Sequence, residues 1–227
     1  MSEWWTYRLH DFLLFSPRVY WRVFELHNEA VWPLQILTMA AGVAILILLV
    51  RPRPRSHKII SFLMAMLWIW VAWSFLWNRY ASINWAAPYV VPAFLIEAAL
   101  FLWVGCYRGT LRFPGPGTRR AVGLGVVVYA VFVHPLVALF AGRPIEAAEV
   151  FGIAPDPTAI ATLGLAVLVP RLGVGWFLVV IPALWCIASA VTLYALEAAD
   201  GWIPLAAAGV AFGYQTWPRN VIKRPAH

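Results

Sequence analysis

Glu97 is the residue whose chemistry stands out most. It lies in the middle of a long apolar run, 85–107. An ionisable side chain at that depth of a membrane-crossing helix is costly, and it faces a bundle interior or a water-filled cavity. Its carboxyl suits a proton- or cation-binding site; the competing reading is a neutral acid bonded to another helix. His134 stands directly before Pro135 in the run 121–141. Proline removes a backbone donor and bends a helix, freeing a carbonyl one turn back. The imidazole there suits a proton shuttle, a metal ligand or a partner for Glu97. A satisfied packing role is the competing reading.

The stretch Phe151-Gly-Ile-Ala-Pro-Asp-Pro-Thr158 reads as a helix start. Asp156 suits the N-cap and Pro157 the first turn. Thr158 and Thr162 then share one face. The positive end of such a helix attracts anions in some transporters; otherwise these are two interface threonines. Gln35 and Tyr129 fall at similar depths, in the outer half of their runs. If these side chains converge with Glu97 and His134, they form an outward-facing polar cavity closed toward the cytoplasm. Trp70, Trp73 and Trp77 form a stripe that suits an aromatic wall for a cation or flat ligand, or an interfacial belt. Gly209 and Gly213 put a small-residue face on the last run, suited to close helix packing within the bundle or between copies.

The elements that must hold these residues are membrane helices. Of 227 residues, 63% are hydrophobic and 12% charged, whereas soluble domains carry about 25% charged residues. Seven apolar runs stand out: 32–50, 59–78, 85–107, 121–141, 157–170, 176–196 and 202–217. The fifth and seventh are short for the ~30 Å hydrocarbon core. The expected fold is an all-α polytopic bundle of about seven spans, with the N-terminus outside and the C-terminus cytoplasmic. Residues 1–31 form an amphipathic outer-interface segment, 32–217 the bundle and 218–227 a basic cytoplasmic tail.

Loop charge sets that orientation. One side receives Arg51, Arg53, Arg55, Lys58, Arg108, Arg112, Arg119, Arg120, Arg171, Arg219, Lys223 and Arg224, with no acidic residue. The other receives Glu3, Asp11, Glu25, Glu29, Glu146, Glu149, Asp156, Glu197 and Asp200, with Arg8, Arg18, Arg22, Arg79 and Arg143. A Lys/Arg excess marks the cytoplasmic face. Two amphipathic helices are expected on the outer interface, near 7–15 and 17–31. Ser16 and Pro17 suit an N-cap and first turn for the second of these. No secretory signal is visible, so the mature chain is expected to start at or near Met1. The basic loops suit anionic headgroups.

Several classes fall away. Lys58 and Lys223 are the only lysines and both lie in loops, so no retinal Schiff base forms in the last span. Cys106 and Cys186 make no CxxC pair, which argues against c-type haem. ATP-binding and zincin motifs are missing. No cofactor is named by the residues, and nothing calls for a nucleic acid. Membrane lipids are the expected partners, with a second copy or another membrane protein as further candidates.

Two stretches carry a resemblance: Trp5-Thr-Tyr-Arg-Leu-His-Asp-Phe-Leu-Leu-Phe-Ser-Pro-Arg18 and Phe151-Gly-Ile-Ala-Pro-Asp-Pro-Thr-Ala-Ile-Ala-Thr-Leu-Gly164. The chain resembles a family of bacterial integral-membrane proteins of unknown function. That resemblance implies a bacterial inner membrane and carries over no activity. Among functions, a small-molecule or ion transporter or channel around Glu97 stands first. The alternative is a non-transporting receptor, sensor or complex subunit that binds a lipid, quinone or protein. An enzyme using Glu97, His134 and Asp156 ranks last.

Overall fold

The computed structural model describes residues 15–109, 111, 117–169 and 174–216. The expected helix near 7–15, the loop at 112–116 and the tail 218–227 lie outside them. The described chain is helical: α1 (Pro17–Ala30), α2 (Leu34–Val50), α3 (Ser56–Trp70), α4 (Ala87–Phe101), α5 (Thr118–Val128), α6 (Val137–Phe140), α7 (Pro155–Leu168), α8 (Val174–Ala195) and α9 (Trp202–Thr216). Three of them continue past these bounds as π-helical turns: α3 over Val71–Trp77, α4 over Leu102–Tyr107 and α5 over Tyr129–Val133.

The helices run between two ends of opposite charge. At the basic end, the Cys106 thiol donates to the carbonyl of Lys58, and Arg119 and Arg120 reach three other helices. At the acidic end, the Asn28 amide donates to the carbonyls of Glu146 and Ala148, and Arg143 pairs with Asp200. α2, α4, α7 and α9 run from the acidic to the basic end. α3, α5 with α6, and α8 run back.

Four helical stretches are long and apolar enough to cross a membrane: Ser56–Ser82, Ala87–Tyr107, Thr118–Phe140 and Gly175–Ala195. A fifth is reached if α1 and α2 count as one broken span, bent by 90°. By length and composition the described residues thus supply four or five helices of membrane-crossing length, against the seven spans expected. α7 is apolar but has only 14 residues, about 21 Å at ~1.5 Å per residue. α9 has 15.

α1 begins as its residues dictate. Ser16 accepts from the Val19 amide, and Pro17 follows in the first turn. One face buries Tyr20, Val23, Phe24 and His27, and Phe24 and His27 pack on Phe75 at ring separations of 4.8 and 5.3 Å. Pro33, with no amide hydrogen, stands at the bend into α2. α2 buries a single stripe of Thr38, Gly42, Ile45 and Leu49, the pattern of a helix packed on one side.

α7 is the opposite case, since every one of its 14 residues is buried. α5, α8, α9 and α3 surround it. Small side chains let them close in. A Cβ on Gly123 would stand 2.9 Å from the Gly164 carbonyl oxygen, and one on Gly164 would stand 3.0 Å from that of Gly123. The close crossing is therefore α5 on α7. A Cβ on Gly209 or Gly213 meets nothing within 4 Å, so their face of α9 packs on no other described helix.

The basic end is tied off by side chains. Arg119 donates to the carbonyls of Val169 and Tyr214, and Gln215 to that of Ala166. Arg120 donates to the carbonyls of Leu49 and Val50, at 3.1 and 3.0 Å. The last carbonyls of a helix lack partners within it, and cations there also meet the negative end of its dipole.

Gly164→Val should lower thermal stability by about 1–3 kcal/mol through overpacking, whereas Gly209→Ala and Gly213→Ala should leave it unchanged or raise it. Tryptophan-fluorescence melting in detergent reads both. A second test concerns α1. Burial, reinforced by the nearby Arg79 charge and partly offset by the Ile153 backbone, lowers the His27 pKa to about 4. The unfolded chain, near 6.5, then binds the proton first. Stability is full above about pH 6.5 and is lost progressively as pH falls toward about 4. His27→Phe should remove that slope from melting curves taken across this window.

Candidate functional site at the acidic end

Asp156 is the second residue of α7, and the N-cap position belongs to Ala154. The expected capping role therefore does not hold. The polar work at the helix start is done by Thr158, whose hydroxyl accepts from the Gly152 amide and donates to the Ala154 carbonyl. Gly152 is required there: its φ is +74°, and a Cβ would stand 2.6 Å from the Leu67 side chain. Thr162 donates to the Thr158 carbonyl and accepts from the Trp68 indole at 2.9 Å. Both threonines are fully buried helix-interface groups with partners.

The Asp156 carboxylate is thereby free to turn sideways onto α8. Trp185 donates its indole hydrogen to one oxygen at 2.7 Å, and Ser189 its hydroxyl to the other at 2.5 Å. The two donors are four residues apart, one turn on one helix face.

Beside it lies a second buried pair. His134 Nε2 is 3.5 Å from Glu149 Oε2, and both side chains are almost wholly covered. His134 sits where the π-helical end of α5 gives way to a 3-10 turn at Pro135. The Tyr129 ring stands edge-on to it at 5.8 Å. Arg143 and Asp200 form a third pair at 2.5 Å, with the guanidinium 3.6 Å from the Trp21 ring centroid. Tyr20 of α1 reaches into this assembly. Burial, with Tyr80 and the carboxylates of Glu149 and Asp156 nearby, pushes its phenol well above the ordinary value, so it stays neutral.

Above these pairs opens a groove of about 770 Å³. One wall is α1 and the head of α2, with Arg22, Glu25, Asn28, Glu29, Trp32 and Gln35. The other is Pro135 and the segment 144–150, with Ile145, Glu146, Ala148 and Val150. Gln35 donates to the Asn28 carbonyl at 2.7 Å, and its Oε1 has no donor. Pro135, Ala148 and Val150 are chain neighbours of His134 and Glu149, so the buried pair lies directly behind this wall.

Glu97 is elsewhere. It is fully buried on α4, and neither carboxyl oxygen has a hydrogen-bond partner. One turn nearer the acidic end, Phe94 packs against Trp68 at 4.5 Å and Trp185 at 5.2 Å. Three rings thus separate the level of Glu97 from the Asp156 carboxylate. Of the residues singled out in the sequence, only Gln35 lines the groove. Trp73 and Trp77 are 60% and 51% exposed on the bundle's outer surface. No trio of His, Cys, Asp or Glu among the described residues is placed to hold a metal ion.

Sequence reasoning passed over Glu149, Trp185, Ser189, Arg143 and Asp200. The signal for Trp185 and Ser189 was their four-residue spacing in an apolar run. Glu149 had been counted as a loop charge.

These features define an all-helical protein with several membrane-length helices and a buried ionisable cluster at one end. The chain belongs to a family of unknown function, DUF6064, whose model matches residues 17–223. No curated protein and no solved structure matches it.

Asp156→Ala strands the buried Ser189 hydroxyl and the half-buried Trp185 indole, at about 1–3 kcal/mol for a buried donor, and Ser189→Ala removes one bond of about 1 kcal/mol. Chemical denaturation in detergent should rank wild type above Ser189→Ala, and that above Asp156→Ala. Equal stabilities would remove Asp156 from the centre of the cluster.

Proposed function

We propose that this is a multi-pass protein of the bacterial inner membrane, threaded seven times, that works as a receptor or sensor. Its acidic end faces outside and its basic end the cytoplasm. It binds its ligand in the groove beside α1. The groove carries this reading: it lies at the acidic end, over a buried ionisable cluster, while at the basic end Arg119, Arg120 and Gln215 tie the described helices together. The loop charges favour this orientation. The short helices α7 and α9 fit a seven-pass thread if longer neighbours enclose them, as they enclose α7.

A transport reading keeps one observation in its favour, the unpartnered carboxyl of Glu97. A pathway would need polar groups leading from it to both ends. The ring layer of Trp68, Phe94 and Trp185 stands on one side of it.

The decisive experiment uses a cysteine at exposed Ile145 in a Cys106→Ser/Cys186→Ala background. An impermeant maleimide should label it from outside intact cells, and native mass spectrometry of gently purified protein should show a bound species that Ile145→Trp displaces. Labelling only after lysis would reverse the orientation. Ion flux in liposomes that Glu97→Gln abolishes would replace the receptor reading with the transport one.

A further inference from the structure

The proposed receptor reading leaves the ligand's chemistry open, and the groove's own charges answer it. We infer that the groove takes an amphipathic ammonium: an amine head on an apolar body. This inference rests on the groove being the binding site.

The groove has one cation among its lining residues, Arg22, and its Nη1 is 2.5 Å from Glu25 Oε2. Two carboxylates remain, Glu29 and Glu146, both exposed on opposite walls. A third, Glu149, is buried between the lining residues Ala148 and Val150. The side-chain amides are engaged within the wall: Asn28 donates to the carbonyls of Glu146 and Ala148, and Gln35 to that of Asn28. What the groove offers a ligand in excess is exposed acceptors, the carboxylates of Glu29 and Glu146. An anion would find the three carboxylates of Glu25, Glu29 and Glu146 set against the single guanidinium of Arg22, which already pairs with Glu25. A group with N–H donors and positive charge matches on both counts.

The remaining lining is apolar. Pro135, Pro144, Ile145 and Val150 form one side, and Trp32, 67% exposed, stands on the other. An indole face attracts a cation as well as a hydrocarbon body. Two sources share this chemistry, a soluble aryl or alkyl amine and the headgroup of an ethanolamine lipid.

The test uses isothermal titration calorimetry on the full chain in maltoside detergent, which carries no ammonium. The probes are three near-isosteres: 2-phenylethylammonium, 2-phenylethanol and 3-phenylpropionate. The ammonium should bind saturably and the strongest. Glu29→Gln and Glu146→Gln should each weaken it roughly threefold to fivefold, and Trp32→Ala by a similar factor, in keeping with exposed charge and cation–π contacts. All three residues are exposed, and gel filtration checks that each variant keeps its fold. Added phosphatidylethanolamine that competes with the probe assigns the lipid headgroup. Binding that persists assigns a soluble amine. Both outcomes support the ammonium class. If phenylpropionate or phenylethanol binds as well as the amine, and Ile145→Trp blocks it, the ammonium class falls and the groove stands as a site. If none of the three binds, the inference falls, and native mass spectrometry with Ile145→Trp decides separately whether the groove reading falls with it.

Discussion

The constraint on which the rest depends is the complete burial of α7. A helix with no face toward solvent or lipid must have its polar groups satisfied by the protein around it. Each polar side chain of α7 meets that demand in a different direction. Thr158 closes the turn before the helix. Thr162 joins it to α3 through Trp68. Asp156 joins it to α8 through Trp185 and Ser189. At the other end, Arg119 and Gln215 close the carbonyls of Ala166 and Val169. The same burial demands close approach, and Gly164 against Gly123 supplies it. α7 is thus a central post to which four neighbours, α3, α5, α8 and α9, are bonded as well as packed.

This explains why the acidic end is chemically rich. The segment before α7 is held by Gly152 and Thr158, which brings Glu149 under cover beside His134. α5 reaches it through a π-helical stretch, and Pro135 then forces a tighter turn. His134 meets Glu149 at this change of helix type. Arg143 and Asp200 complete the set, and Tyr20 and Trp21 bring α1 onto it. The cluster is a consequence of covering the head of α7 with three loops and one amphipathic helix.

How much of this was legible in the residues depends on the kind of signal. Apolar run lengths and the start of α1 at Ser16-Pro17 follow local rules, and the helices fall where those rules put them. α3 continues to Trp77 within the expected run 59–78, but its last turns are π-helical, which 3.6-residue spacing does not anticipate. That shift also means Trp70, Trp73 and Trp77 do not follow ordinary helical spacing. Gly209 and Gly213 carried a packing motif, yet the close crossing uses Gly123 and Gly164, which lie in different helices and have no shared spacing to read. Asp156 had every local mark of an N-cap. Its side chain instead serves partners 29 and 33 residues away, and tertiary bonds of that kind leave no mark in a window of sequence.

α1 is where the cluster and the groove meet. Its inward face, through Tyr20, Phe24 and His27, rests on Phe75 and Tyr80. Its outward side chains Arg22, Glu25, Asn28 and Glu29 form one wall of the groove. Asn28 ties that wall to the opposite one, through the carbonyls of Glu146 and Ala148. A ligand that needs both walls binds only while α1 is docked. It therefore stabilises the docked helix by RT ln(1 + [L]/Kd). On the proposed receptor reading, the groove is the site and α1 is the element whose docking its occupant stabilises.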